Sequence, residues 1–393
     1  MSSIQESMDT LTAQWYNATV TGLGLSPDQF QLYQGTESVM STSQEMWAIF
    51  NAIPPKSINN YYNPSQNNQF AGNYDAILGS LKPASNSDFI DCMGDYYSAW
   101  NDYFTEYTKN NPLGSDTGEN VKTITSVFTN WAAVNAPGKA GCLNGLTKIY
   151  IDPINQANVK FALAGDKYAW DRTIDNLNSA LASAPKKTFS MDSKTQSSEV
   201  KHTWAGGNTS FFFDIFSFGG GASYDKLSQK VTTSGLNIEV TYDHVTTFAA
   251  GPLSQASSSP VLKDYYPWYL SAALALAYQT KDNTLWSPTG RTSWEKEFGE
   301  NGTFQRTASS IVAVNGITST MTSTATFDKS EQETIKGAAK TGIWPFFNIN
   351  GSGGSETTVT FSDEGTFTIK TTLPLGNPQI IGVLQSPMSK QFG

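Results

Sequence analysis

The chain has 393 residues, 38% hydrophobic and 12% aromatic, with 15% charged and a formal net charge of −9. That is a globular composition, long enough for two cores. Arginine stands only at Arg172, Arg291 and Arg306, so cationic charge is too sparse for a nucleic-acid backbone and weak for anionic lipid headgroups.

Residues 1–185 carry 17 acidic and 9 basic side chains, net −8, and residues 186–393 carry 17 and 16, net −1. The shift coincides with a change of texture at Pro185, which sets a boundary between domains 1–185 and 186–393. Residues 1–18 lack the basic and apolar regions of a secretory leader. The longest apolar run, 268–278, is too short to span a bilayer as a helix. The expectation is a protein without leader or membrane helix, cytoplasmic or exported by a non-classical route.

In the first half, periodicity predicts helices over 3–20, 41–53, 66–81, 87–109, 119–135, 153–164 and 166–183. The clearest is Ser87 to Lys109, where Phe89, Met93, Tyr96, Trp100, Tyr103 and Tyr107 recur at steps of four and three. Asp88, Asp91, Asp95, Asp102 and Glu106 line its other side as a solvated face. A carboxylate metal site in a bundle would recruit histidine, and this half has none. Cys92 and Cys142 could pair, but one pair makes no disulfide framework, and free buried thiols are the favoured expectation over a bridge. No cofactor is implied.

From Lys186 the period drops to two. Strands are expected at 186–191, 197–204, 209–218, 222–233, 236–249, 304–314, 317–327, 343–349, 355–362, 366–373 and 378–385. Short helices are expected at 266–280, 292–298 and 329–340. Asn315-Gly316 signals a hairpin turn, and Ser362 to Gly365 a second. The fold class is therefore α+β: an N-terminal all-helical domain, then a mainly antiparallel β-sandwich or open barrel with inserted helices.

Two patterns stand out. Thr318, Thr320, Thr322, Thr324 and Thr326 fall at every second position and share one strand face, an uncharged hydrogen-bonding surface suited to binding. Phe211, Phe212, Phe213, Phe216 and Phe218 make a segment apolar on both sides, fit for a central strand or for membrane or partner contact. Catalytic signatures are missing: no P-loop, no dinucleotide fingerprint, no Cys-x-x-Cys and no Gly-x-Ser-x-Gly elbow. Ser198 to Lys201 and Lys340 to Gly342 match two penicillin-binding serine-enzyme motifs, but Ser-x-x-Lys recurs by chance here and the central Ser-Asp-Asn is missing. Only two histidines occur, His202 and His244. A hydrolase acting on glycans would draw on Asp264, Glu295, Glu297 and Glu300, which lie near Trp268, Trp286 and Trp294.

Helices followed by Ser/Thr-rich amphipathic strands resemble β-pore-forming toxins in texture, over the second half of the chain. That resemblance implies a non-enzymatic, membrane-active assembly protein. The Thr-x-Thr row is similar in pattern to ice-binding sheets, which implies instead a lectin-like or ordered-surface binder. The partners to test are a second copy of the chain, a membrane or a glycan, with no nucleic acid.

Overall fold

The structure is a computed structural model and describes residues 3–32, 41–54, 68–114, 116–200, 222–339 and 354–392. The chain opens with α1 (Ser3–Leu23), β1 (Phe30–Leu32) and α2 (Ser43–Asn51). Helices α3 (Phe70–Leu78), α4 (Ser87–Met93), α5 (Tyr97–Asn110) and α6 (Thr117–Asn135) follow. Next come α7 (Leu143–Ile151), α8 (Pro153–Ala164) and α9 (Ile174–Ala182). Strand β2 (Lys187–Asp192) precedes α10 (Ala222–Ser234) and β3 (Leu236–Ala249). After α11 (Ser271–Gln279) and α12 (Trp294–Phe298) comes the long β4 (Arg306–Ser323). The chain closes with α13 (Lys329–Ala339), β5 (Glu356–Phe361), β6 (Phe367–Leu373), β7 (Gln379–Pro387) and α14 (Met388–Phe392).

The fold is α+β, and the described residues form seven strands in one antiparallel sheet that is not closed among them. Packing groups the chain into two compact units that interleave in sequence. One holds residues 1–69, 172–251 and 306–387, and the other 70–171, 252–305 and 388–393. Neither coincides with 1–185 or 186–393, because β1 pairs with β7 and so joins the N-terminal stretch to the sheet. None of the described helices is long and apolar enough to cross a membrane.

In the sheet unit, β4 is the spine. Its first half pairs with β7 and its second with β6, while β3 lies along its other side from Ser310 to Ser323. The expected hairpin at Asn315-Gly316 is therefore absent. Gly316 takes φ +75° inside a continuous strand, and β4 changes neighbour from β7 to β6 there. A lone positive-φ glycine bends a strand; reversing it takes a two-residue turn. Segment 222–233, expected as a strand, is helix α10, because Leu227 and Val231 bury at a helical step of four. Residues 197–200 are irregular; 201–204, 209–218 and 343–349 lie outside the described residues, as does His202.

Local chemistry sets the ends of the helices. Thr42 Oγ1 accepts from the Glu45 backbone N–H at 3.2 Å, and Glu45 Oε2 accepts from that of Thr42 at 2.9 Å, closing a capping box. These bonds, led by the Ser41 backbone N–H, hold the Glu45 carboxyl below its ordinary range. Asp152 caps α8 through the Asn155 N–H at 2.9 Å, with Pro153 in the first helical turn. Gly94, at φ +56°, splits the expected 87–109 helix into α4 and α5.

The second unit is cored by aromatic rings. Trp268 is fully buried and lies 5.2 to 6.2 Å from the rings of Phe70, Tyr74, Phe161, Tyr168, Trp170 and Tyr269. The cysteines are joined: Cys92 and Cys142 form a disulfide with a Cα separation of 5.6 Å. It links α4 to the turn that leads into α7. Residues 50 apart meet there because Phe89, Phe128 and Leu146 pack into one cluster, a proximity that cysteine counting cannot reveal.

Candidate functional site

The threonine row sits on the outer face of the sheet. Thr318, Thr320 and Thr322 are half-buried on β4, and Thr324 and Thr326 are exposed just past its end. The pairing register sets other hydroxyls beside them. One row across five strands reads Thr188, Thr241, Thr318, Thr372 and Glu356. The next reads Ser190, Glu239, Thr320, Lys370 and Thr358, and the third Asp192, Asn237, Thr322, Thr368 and Thr360. Cross-strand neighbours bond directly where geometry allows, as Thr188 Oγ1 and Thr241 Oγ1 do at 2.8 Å. The opposite face carries Met191, Ile238, Met321, Ile369 and Val359 across the same strands and faces the core with α1, α10 and α13.

Four neighbouring strands, β2, β3, β4 and β6, share one further property. Asp192 pairs with Asn237, Leu236 with Ser323 and Thr322 with Thr368, so the two long crossovers leave the same end of the sheet. The crossover 193–235 contains α10, and the crossover 324–366 contains α13 and β5. The helices are tied to each other by Lys230 Nζ and Glu331 Oε2 at 2.7 Å, and Lys230 also lies 5.0 Å over the Phe327 ring. Thr324 Oγ1 donates to Ser234 O at 2.5 Å and Ser323 Oγ to Gly235 O at 3.0 Å, fastening the two crossovers at their roots. Sequence reasoning missed this pairing of crossovers, since α10 reads as a strand. The phenylalanines Phe211, Phe212, Phe213, Phe216 and Phe218 lie outside the described residues.

The expected hydrolytic residues are not gathered into a pair. Asp264, Glu295 and Glu300 are exposed, and Glu295 and Glu297, two apart on α12, project to different sides. Glu297 is buried, with its oxygens taken by Thr292 Oγ1 at 2.7 Å and Thr303 Oγ1 at 3.0 Å. Trp268 and Trp286 are buried, with their Nε1 groups donating to backbone carbonyls, and Lys281 covers Trp294 at 3.9 Å. His244 Nδ1 meets Ala184 O at 2.8 Å. The acidic side of α4 and α5 is exposed, and no cluster of metal ligands occurs among the described residues.

Burial raises the Glu297 carboxyl above its ordinary value, against the two threonine bonds. A carboxyl raised on folding adds stability at low pH that is lost as pH climbs through the folded value. Glu297→Gln is therefore expected to remove one acid-favoured contribution, flattening the fall of melting temperature as pH rises above the ordinary carboxylate range. Parallel thermal melts of the two proteins check this, and identical pH slopes would overturn it.

A cavity of about 210 Å³ lies in the aromatic unit, lined by Leu113, Tyr150, Val159, Lys160 and several amides. Its polar groups serve the local backbone: Asn120 donates to Gly114 O, Asn155 to Ala84 O and Ile149 O, Gln156 to Tyr150 O and Lys160 to Ser254 O. A cavity whose donors are already engaged offers a ligand little specificity. No family model, curated protein or solved structure matches the chain.

Proposed function

We propose that the protein is a non-enzymatic assembly protein that acts on membranes, through hairpins built from residues 193–235 and 324–366. One observation carries the reading: the crossovers leave one end of the sheet from four neighbouring strands, and each is 43 residues long, counted inclusively. Unrelated loops have no reason to match in length. Two hairpins that must reach the same depth do.

As a hairpin, each arm would run about 20 residues, or roughly 65 Å at strand rise. A tilted membrane strand needs about 9–11 residues, so each arm is ample. The midpoints are Asp214 and Pro345, and both lie within aromatic sequence, Phe211 to Phe218 and Ile343 to Phe347. The apolar groups would thus lead at the tips. The parent strands already alternate hydroxyl and apolar faces, as a barrel wall does. The disulfide supports an oxidising destination and hence export. Among the described residues β2 and β5 stand at edges of the sheet, positions suited to self-association.

The hydroxyl face favours a second reading, a lectin-like or ordered-surface binder. Ordinary twist of 20–25° per strand turns β5 by about 80–100° relative to β2, so a flat ligand would meet only the middle strands. Glu239 and Lys370 also charge the central row.

Release of an encapsulated dye from liposomes tests the membrane reading. Leakage is expected from the wild-type chain, lowered about tenfold or more by Phe213→Asp or Trp344→Asp, since a buried aspartate opposes insertion by ~2.5–3.5 kcal/mol. No leakage across neutral and anionic lipids from pH 5 to 8 would sink it.

A further inference from the structure

We infer that α1 is a clamp that keeps the first crossover from extending β2. Two amides on one side of this helix hold four backbone carbonyls of the segment that follows Asp192. Gln14 Nε2 donates to Ser193 O at 2.9 Å and Gln196 O at 2.8 Å. Asn17 Nδ2 donates to Ser197 O at 2.8 Å and Glu199 O at 3.1 Å.

The geometry forbids a strand there. Two oxygens bonded to one nitrogen can be no farther apart than the two bonds laid end to end. Residues three apart in a strand are separated by about 10 Å, so Ser193 and Gln196 cannot be extended while Gln14 holds both. The chain answers with a turn, in which the Thr195 and Gln196 N–H groups both donate to Asp192 O, at 3.1 and 2.8 Å. Seven extended residues would cover roughly 23 Å. Gln14 and Asn17 stand only about 4.5 Å apart along the helix axis.

The helix itself is fixed. Leu11, Trp15, Tyr16 and Val20 are buried in the sheet core, Trp15 packs 5.5 Å from the Phe189 ring, and the Tyr16 hydroxyl donates to Phe30 O at 2.9 Å. Gln14 is 5% exposed, and its Oε1 has no hydrogen-bond partner among the described residues. A buried amide with an orphaned oxygen costs stability, which a residue chosen for packing alone would avoid. Its donor side is what the fold uses. Release therefore means that the crossover leaves the helix, with α1 staying in place.

The purpose of the clamp rests on the membrane reading above; its existence does not. The test is the combined Gln14→Met and Asn17→Ala protein, in which methionine keeps the buried volume and removes the donors. In the absence of lipid, trypsin cleavage at exposed Lys194 and Glu-specific cleavage at exposed Glu199 are expected to quicken about tenfold or more, as local opening becomes easier. The melting curve should remain cooperative. Unchanged cleavage at both sites overturns the clamp, whatever the protein does to liposomes. Should the double variant not fold, Asn17→Ala alone, at a half-buried position, is expected to quicken cleavage at Glu199 and overturns the clamp if it does not. Dye release by the same proteins reads the other proposal: faster cleavage without leakage from any of them keeps the clamp and removes the membrane.

Discussion

Trp268→Ala is expected to unfold the aromatic unit at far milder conditions, with a loss of about 3–5 kcal/mol. The indole is fully buried and touches six other rings. Its Nε1 donates to Ala169 O at 2.8 Å, so truncation also removes a buried hydrogen bond, although the Leu253 N–H still occupies that carbonyl at 3.0 Å. Neighbouring backbone is engaged as well, since Trp268 N donates to Leu253 O at 2.9 Å. The rings meet mostly edge to face, an arrangement that small side chains cannot refill. Trp268→Phe, which keeps an aromatic body, should lose less than half as much. Calorimetry should show a displaced transition for this unit and an unmoved one for the sheet unit. A single shared transition moving by less than about 3 °C would contradict the assignment.

Opening the Cys92–Cys142 bond is expected to have a comparable effect. The bond spans 50 positions, and closing a loop of that length removes about 4 kcal/mol of unfolded-chain entropy. In a unit of roughly 160 residues that is about 10 °C in melting temperature. Cys142 is buried and Cys92 exposed, so a reductant reaches the pair from one side. The melting temperatures of the double serine variant and of the wild-type chain with reductant should agree, both lying well below that of the wild-type chain without reductant. A shift below about 2 °C would mean that the cluster of Phe89, Phe128 and Leu146 holds the loop unaided.

The elements legible in the sequence are those with one strong period. Strand β3 is readable because apolar positions alternate from Leu236 to Tyr242, and the β-branched and aromatic residues beyond, Val245 to Phe248, carry it on. Helix α8 is bounded by Asp152-Pro153 and Gly165, start and stop signals that act locally. Failures occur where a residue serves two patterns. Ala222 to Ser234 lies in the Ser/Thr-rich texture of the strands around it and so passes for one, yet its Leu227 to Val231 spacing wins once the sheet supplies an apolar wall. Asn315-Gly316 carries the right residues for a reversal, but long-range pairing on both sides of β4 keeps the chain running on as one strand. The threonine face is legible on one strand only. Its neighbours follow from register, which depends on which strands meet. The equal crossovers are invisible until β2, β3, β4 and β6 are known to be consecutive.

The change of partner at Gly316 gives β4 an unusual mechanical position. On one side of that residue the strand belongs to a ladder with β7, and on the other to a ladder with β6, while β3 bridges the joint like a splint. A sheet spliced in this way can be rebuilt at one end without loosening the other. Whatever becomes of β5, β6 and the two crossovers, the β3–β4–β7 half, with β1 on its far edge, keeps its own pairing and its own buried valines and isoleucines. The molecule thus carries two ladders with separate partners on a single 18-residue strand.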